Sequence, residues 1–445
     1  MKGSGAALLA FSATTALAGA VRPVKREAPE VSVSGNAFWA GNERFYMRGV
    51  DYQPGGSSSL ADPIADVEGC KRDIEYFKEL GLNTIRVYTV DNTADHDECM
   101  NALADAGIYL VLDVNTPKYS LRRDKPDQSY NDVYLQNIFA TVDKFAPYSN
   151  TLAFFSGNEV INDEKSTSAA PYVKAVTRDI RQYIGSMGYR KIPVGYSAAD
   201  VEENRVEMAA YMNCGPDDER SDFFAFNDYS WCDPSDFEES GWNQKVETFK
   251  DYSIPLFLSE WGCNTNKRTF GAASSLYSED MSGVFSGGLV YEYSEEPSRY
   301  GLVELDGNSV SKLDDFDALK EAYAGQSNPS GSGNAKSGGQ ASKCPPKSST
   351  WEVDTELLPA IPEPAKKYMA KGAGEGAGLT GPGSQEAGSG SSGAASPGSG
   401  TVTATATSKP TSDAAGAIRI PEITYTSFVC AFVVVASSLV GSILL

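Results

Sequence analysis

The sequence holds one histidine, His96. That scarcity removes the material for a Ser-His-Asp triad and for a metal site built on clustered imidazoles. No two of the seven cysteines stand as Cys-x-x-Cys, which excludes a redox pair or a zinc ribbon. No Asn-x-Ser/Thr triplet has an allowed middle residue, because Asn328 precedes Pro329, so any glycosylation is expected through oxygen in the Ser/Thr-rich tail. Basic residues are outnumbered 38 to 59 by acidic ones, for a formal charge of −21. Nucleic acid and anionic lipid are poor partners for such a chain, whereas a neutral polymer is indifferent to its charge. No glycine-rich phosphate loop follows the first apolar run, and no cofactor or metal is expected.

What stands at the two ends reads as processing signals. Residues 1–20 carry one basic residue, Lys2, then an apolar run, then Leu17-Ala18-Gly19-Ala20, the layout of a secretory signal peptide. Lys25-Arg26 follows, a second processing point or a chance pair. Residues 417–445 finish in an apolar stretch behind a polar spacer, and small residues at Asp413, Ala414, Ala415 and Gly416 precede them. Small site, spacer and apolar tail form the pattern of a GPI-anchor signal, with attachment expected at one of those four residues. A tail-anchored helix is the alternative. The expectation is a protein on the outer face of the plasma membrane or in the cell wall, held to the membrane through lipid alone. Cys430 lies in the tail, leaving six cysteines, an even number that suits three disulfides in an oxidising compartment with fifteen pairings open.

Between the ends the composition changes several times. Residues 31–324 are mixed and rich in aromatics, as a packed domain should be. Residues 325–369 begin Gly/Ser-rich and regain Trp351, leucines and prolines after Cys344. Residues 370–416 are so rich in Gly, Ser, Thr and Ala that a disordered, O-glycosylated stalk is expected. Within the first block, short apolar runs recur at 45–51, 84–90, 109–114, 152–156, 192–196, 223–227, 254–258 and 288–293. Amphipathic stretches at 70–80, 95–106, 133–146 and 172–186 lie between them. Strands alternating with helices at this count predict a (β/α)₈ TIM barrel, with a doubly wound sheet as the alternative.

Two of the apolar runs end in glutamate. The fourth delivers Asn158-Glu159 and the seventh delivers Glu260-Trp261-Gly262. The carboxyl ends of barrel strands form the catalytic face, so both carboxylates are expected in one bowl. Cleaving a glycosidic bond with retention needs such a pair: one carboxyl protonates the leaving oxygen, and the second attacks the sugar. The acid must keep its proton near neutral pH, so its surroundings have to raise its pKa. Asn158, beside Glu159, is suited to hydrogen-bond the sugar 2-hydroxyl.

The motifs around the pair narrow this further. Gly49-Val50-Asp51-Tyr52-Gln53-Pro54-Gly55-Gly56, Arg86-Val87-Tyr88, Tyr196-Ser197-Ala198-Ala199-Asp200, Tyr229-Ser230-Trp231-Cys232, Ser259-Glu260-Trp261-Gly262-Cys263-Asn264 and Tyr291-Glu292-Tyr293-Ser294-Glu295-Glu296 stand in order along the chain. In these the sequence resembles the fungal GPI-anchored β-1,3-glucanosyltransferases of glycoside hydrolase family 72. The resemblance implies Glu159 as acid/base and Glu260 as nucleophile. It implies Gln53, Tyr88, Asp113, Asn158, Asp200, Arg205, Tyr229 and Tyr291 as positions of a glucan cleft. Tyr229 would hydrogen-bond the nucleophile, Tyr88 and Tyr291 would contact glucosyl rings, and Tyr293 shares their strand face. The loop at 115–123 resembles the family's sugar-binding loop. By the same resemblance the cysteines pair as Cys70–Cys99, Cys214–Cys344 and Cys232–Cys263.

The implied partners are donor and acceptor β-1,3-glucan chains, met by a monomer. The implied reaction cuts an internal bond and transfers the new reducing end to the non-reducing end of another chain. A hydrolytic endo-β-1,3-glucanase on the same scaffold and a non-catalytic wall-binding protein are the alternatives. The chain departs from the family in two places. It lacks the cysteine-rich module some members carry, and residues 223–229 depart from the usual Asp-Phe-Tyr-Gly run.

Overall fold

The computed structural model describes residues 28–354 and 358–387. Eight parallel strands close into a barrel: β1 (Met47–Asp51), β2 (Thr84–Val87), β3 (Tyr109–Asp113), β4 (Thr151–Asn158), β5 (Val194–Ala199), β6 (Phe223–Asn227), β7 (Leu256–Trp261) and β8 (Phe285–Val290). Helices fill most of the connections, as the predicted alternation requires. Among them α1 (Val67–Leu80) opens on Asp66, whose side chain accepts from the Gly69 amide, and closes on Gly81 in the left-handed region at φ +70°. A three-stranded antiparallel sheet at residues 31–45 precedes the barrel.

Alternation along each strand sorts side chains between two cores. Phe154 and Leu258 join the layer between barrel and helices, whereas Phe155, Phe223 and Phe257 face the barrel interior. These three rings pack at 5.5–5.9 Å, and Phe38 from the preceding sheet meets Phe223 and Phe257 at 5.8 and 5.9 Å. One end of the interior is therefore a dense aromatic plug.

Two strands break their alternation just where polar groups are needed. Between β4 and β5 the register shifts from Phe155↔Gly195 to Asn158↔Ser197. Between β7 and β6 it shifts from Leu258↔Phe226 to Glu260↔Asn227. Uninterrupted, the pleat would turn Asn158 and Glu260 outward with Phe154 and Leu258; the extra residue brings both inward.

The eighth strand runs over residues 285–290 and not over the expected 288–293. It contains Gly287, at φ +81°, and Gly288. In the barrel they are required, since a Cβ at Gly287 would lie 2.2 Å from the Met47 carbonyl oxygen. Tyr291 and Tyr293 consequently stand beyond the strand.

The expected stalk also needs correction. Residues 370–387 pack on the barrel side: Ala373 donates to the Tyr183 hydroxyl at 2.7 Å, and Ser384 is fully buried. Their glycines allow the backbone itself to approach, so this segment needs few apolar side chains to dock. Upstream, Trp351 is fully buried against Tyr211. Residues 388–416, the signal at 1–20 and the tail at 417–445 lie outside the described residues. The six remaining cysteines pair as Cys70–Cys99, Cys214–Cys344 and Cys232–Cys263.

Candidate active site

At the carboxyl ends of the strands the barrel interior becomes polar. Arg86, at the third position of β2, is fully buried and organises the floor. Its guanidinium donates to Asp113 Oδ2 at 2.8 Å, to Glu260 Oε1 at 3.2 Å and to Asn158 Oδ1 at 3.0 Å. Asp51 lies 3.9 Å away with both carboxylate oxygens buried. One guanidinium thus faces three carboxyl groups, an imbalance that a buried site relieves by keeping a proton. Burial pushes the Asp51 carboxyl far above its usual range against the pull of Arg86, and Glu260 and Asp113 push it further.

Glu260 is 8 % exposed, and donors surround it. The Tyr88 hydroxyl donates to Oε1 at 2.7 Å and the Tyr229 hydroxyl to Oε2 at 2.7 Å, while Arg86 reaches Oε1. Burial raises the Glu260 pKa to about 7; Arg86 pulls it down, Glu159 pushes it up, and the tyrosine hydrogen bonds lower it. Three donors aimed at two oxygens suit a carboxylate anion, because a proton on either oxygen would displace one of them.

Glu159 follows β4 in the left-handed region at φ +47°, a conformation costly for a side chain bearing a Cβ and frequent at functional sites. It is partly exposed. The Asn227 amide donates to its Oε1 at 2.8 Å and to Asn158 Oδ1 at 3.1 Å. Asn158 Oδ1 also accepts from Ser197 Oγ at 2.7 Å. Three donors therefore hold Asn158 Oδ1 and turn its amide nitrogen away from them. A continuous chain, Glu260–Arg86–Asn158–Asn227–Glu159, ties the two glutamates together.

The other expected positions fall into groups. Tyr88, Asp113 and Asn158 line a cleft of about 290 Å³ whose far wall is the 115–123 loop. Tyr229 and Tyr291 stand edge-on at 6.4 Å, with Tyr300 at 5.6 and 5.3 Å from them. Gln53 is brought beside Tyr88, but its amide is engaged: Oε1 accepts from the Tyr88 and Thr89 amides, and Nε2 donates to the Ala61 carbonyl. Asp200 and Arg205 pair with each other at 2.7 Å, and Lys245 bridges Asp200 to Asp228. Tyr293 turns into the core and donates to Asp73 at 2.9 Å, so it does not share the face of Tyr291.

The sequence reading gave no role to Arg86, Asn227, Ser197, Ser259 or Tyr300. A charged residue inside the apolar run Thr-Ile-Arg-Val was a signal for the first. Asn227, closing the run Phe-Phe-Ala-Phe, carried the same strand-end signal as Asn158. Ser197 and Ser259, which bond each other at 2.9 Å beneath the pair, carried none.

With this geometry in view, comparison with known proteins is decisive. The glucanosyltransferase model of glycoside hydrolase family 72 matches residues 20–327. The chain belongs to this family. It is 70 % identical over 376 residues to the 1,3-beta-glucanosyltransferase gel1 of Aspergillus fumigatus, covering 84 % of this chain and 83 % of that one. It is 51 % identical to the 1,3-beta-glucanosyltransferase GAS5 of Saccharomyces cerevisiae, over 85 % and 79 % of the two chains. Among solved structures, a Saccharomyces cerevisiae Gas2p mutant in complex with laminaritetraose and laminaripentaose superposes with TM-score 0.69 at 36 % identity, over 77 % and 80 %.

Proposed function

We propose that this family member is a β-1,3-glucanosyltransferase that uses Glu260 as nucleophile and Glu159 as acid/base. The observation that carries the assignment of roles is the asymmetry of the pair. Glu260 is buried under three donors, whereas Glu159 is partly exposed and takes one from Asn227. In the first half-reaction Glu260 attacks the anomeric carbon, and the glycosidic bond breaks as Glu159 gives its proton to the leaving oxygen. In the second, Glu159 takes the proton of the acceptor's hydroxyl as that oxygen displaces Glu260, forming a new β-1,3 bond at the non-reducing end of another glucan. Both inversions at the anomeric carbon cancel, so configuration is retained.

The Asn158 amide nitrogen supplies the hydrogen bond to the sugar 2-hydroxyl, and Tyr88 and Tyr291 contact glucosyl rings. Asp113 holds Arg86 in place beneath them. Asp200 and Arg205 act as one ion pair. The signal sequence, attachment at one of Asp413 to Gly416, a lipid-only tether and a monomeric state complete the reading.

Incubation with reduced laminari-oligosaccharides and sizing of the products tests it. Chains longer than the starting material with a new β-1,3 bond are expected. Shorter products alone would make the protein a hydrolase.

A further inference from the structure

The wall of the cleft at 115–123 has little internal structure, holding only an isolated bridge between Thr116 and Tyr119. On its inner side this loop reaches the chemistry: Asn115 donates to the Ser156 carbonyl at 3.0 Å, and Arg123 donates to the Glu159 carbonyl at 2.8 Å. On its outer side it is held by the carboxyl-terminal segment. Lys118 Nζ donates to the Leu379 and Gly381 carbonyls at 3.0 and 3.3 Å, and the Ser384 amide donates to the Lys118 carbonyl at 2.9 Å. Gln385 donates to Ser120 Oγ at 2.6 Å and to the Pro117 carbonyl at 3.3 Å, while Arg122 pairs with Glu386. The segment is itself pinned to the barrel side, where the Gly378 amide donates to Asn92 and Asn131 donates to the Ser384 carbonyl.

We propose that residues 376–386 are a positioning strap for the cleft: by fixing the outer side of the 115–123 loop, they set how a glucan lies against Glu159. The strap thereby governs which bond is cut and how far transfer outruns hydrolysis. None of its residues touches the reacting atoms; it acts through Arg123 and the loop. A loop of this length, left to itself, samples many conformations, and binding a sugar chain would have to order it each time. The Tyr134 hydroxyl donates to Asn115 Oδ1 at 2.6 Å and the Arg122 amide donates to Ser129 Oγ at 2.9 Å, and the strap completes that order in advance along the outer stretch between them. The effect on transfer rests on the transferase reading above, while the effect on product length does not.

The test uses the full chain. In Gln385→Ala/Glu386→Ala the three side-chain ties of these residues to the loop are lost at a partly exposed and an exposed position, so folding is preserved. We expect the apparent KM for reduced laminari-oligosaccharides to rise at least about threefold, the distribution of product lengths to change, and kcat to fall less than KM rises. In Gly381→Ala the new Cβ would stand 2.2 Å from the Tyr119 hydroxyl, 2.9 Å from Ala377 Cβ and 3.0 Å from the Ala377 carbonyl oxygen, displacing the strap from the loop, and the same changes are expected. Gly338→Ala, with nothing within 4 Å of its Cβ, serves as the unaffected control.

Because product lengths report the strap even if water is the sole acceptor, a failure of the transferase reading is seen separately, in the unsubstituted protein. A lowered Tm with unchanged KM and product lengths in both variants would make the strap merely structural and overturn the proposal.

Discussion

The two ends of the barrel interior are built of opposite materials. At the amino end Phe38, Phe155, Phe223 and Phe257 fill the space with rings. At the carboxyl end Arg86, Asp113, Asn158, Asn227 and Glu260 share a hydrogen-bonded network. The first end gains its stability from apolar burial. The second must recover the cost of desolvating charge through partners, and where partners run short burial pushes the Asp51 pKa up. The difference teaches that the aromatic end stabilises the fold while the polar end holds reactive groups ready, so damage to each should show in a different measurement.

The largest effects belong to the polar end. Glu260→Gln should lower turnover on a β-1,3-oligosaccharide by more than about 10⁴-fold, and Glu159→Gln by about 10²–10⁴-fold, with both proteins folded by circular dichroism. Appreciable turnover in either would break the division of roles. Arg86→Met should cost both activity and about 3–5 kcal/mol of stability in denaturant unfolding, since it leaves buried carboxylates without their cation.

Phe257→Ala should cost a similar amount, about 3–5 kcal/mol, while the folded fraction keeps most of its kcat. A kcat loss matching that of Arg86→Met would erase the contrast between the ends.

Smaller effects sharpen it through pH. As the proposed nucleophile Glu260 must be ionised to attack, so activity should fall as pH drops through the Glu260 pKa, which burial raises to about 7. Tyr229→Phe removes a hydrogen bond that lowers this pKa, so the acid limb of kcat/KM should move to higher pH. Asp51→Asn should leave the limb where it is, as expected of a carboxyl whose pKa burial pushes far up. An ionised Asp51 would instead hold the Glu260 pKa up, and the substitution would slide the limb to lower pH.

Much of this contrast was legible in the sequence. The sixth strand, 223–227, lies where its apolar run stands, and Glu159 and Glu260 were visible because each ends such a run. Arg86 and Asn227 gave weaker versions of the same signal. The register shifts at Asn158 and Glu260 gave none, since a one-residue bulge reverses which face a residue takes without altering composition. The docked stretch at 370–387 was misread for a related reason. It binds through its backbone, and a reading of side chains has no measure of how closely a glycine-rich backbone can approach.

The central claim is that Glu260 becomes covalently bonded to the sugar while Glu159 manages protons. A laminari-oligosaccharide carrying a 2-fluoro substituent and an activated leaving group at the reducing end slows the second half-reaction and traps that bond. Proteolysis and mass spectrometry of the trapped protein should then place one glycosyl adduct on the peptide holding Ser259-Glu260-Trp261. An adduct on Glu159, or inactivation with no adduct on either residue, would contradict the account.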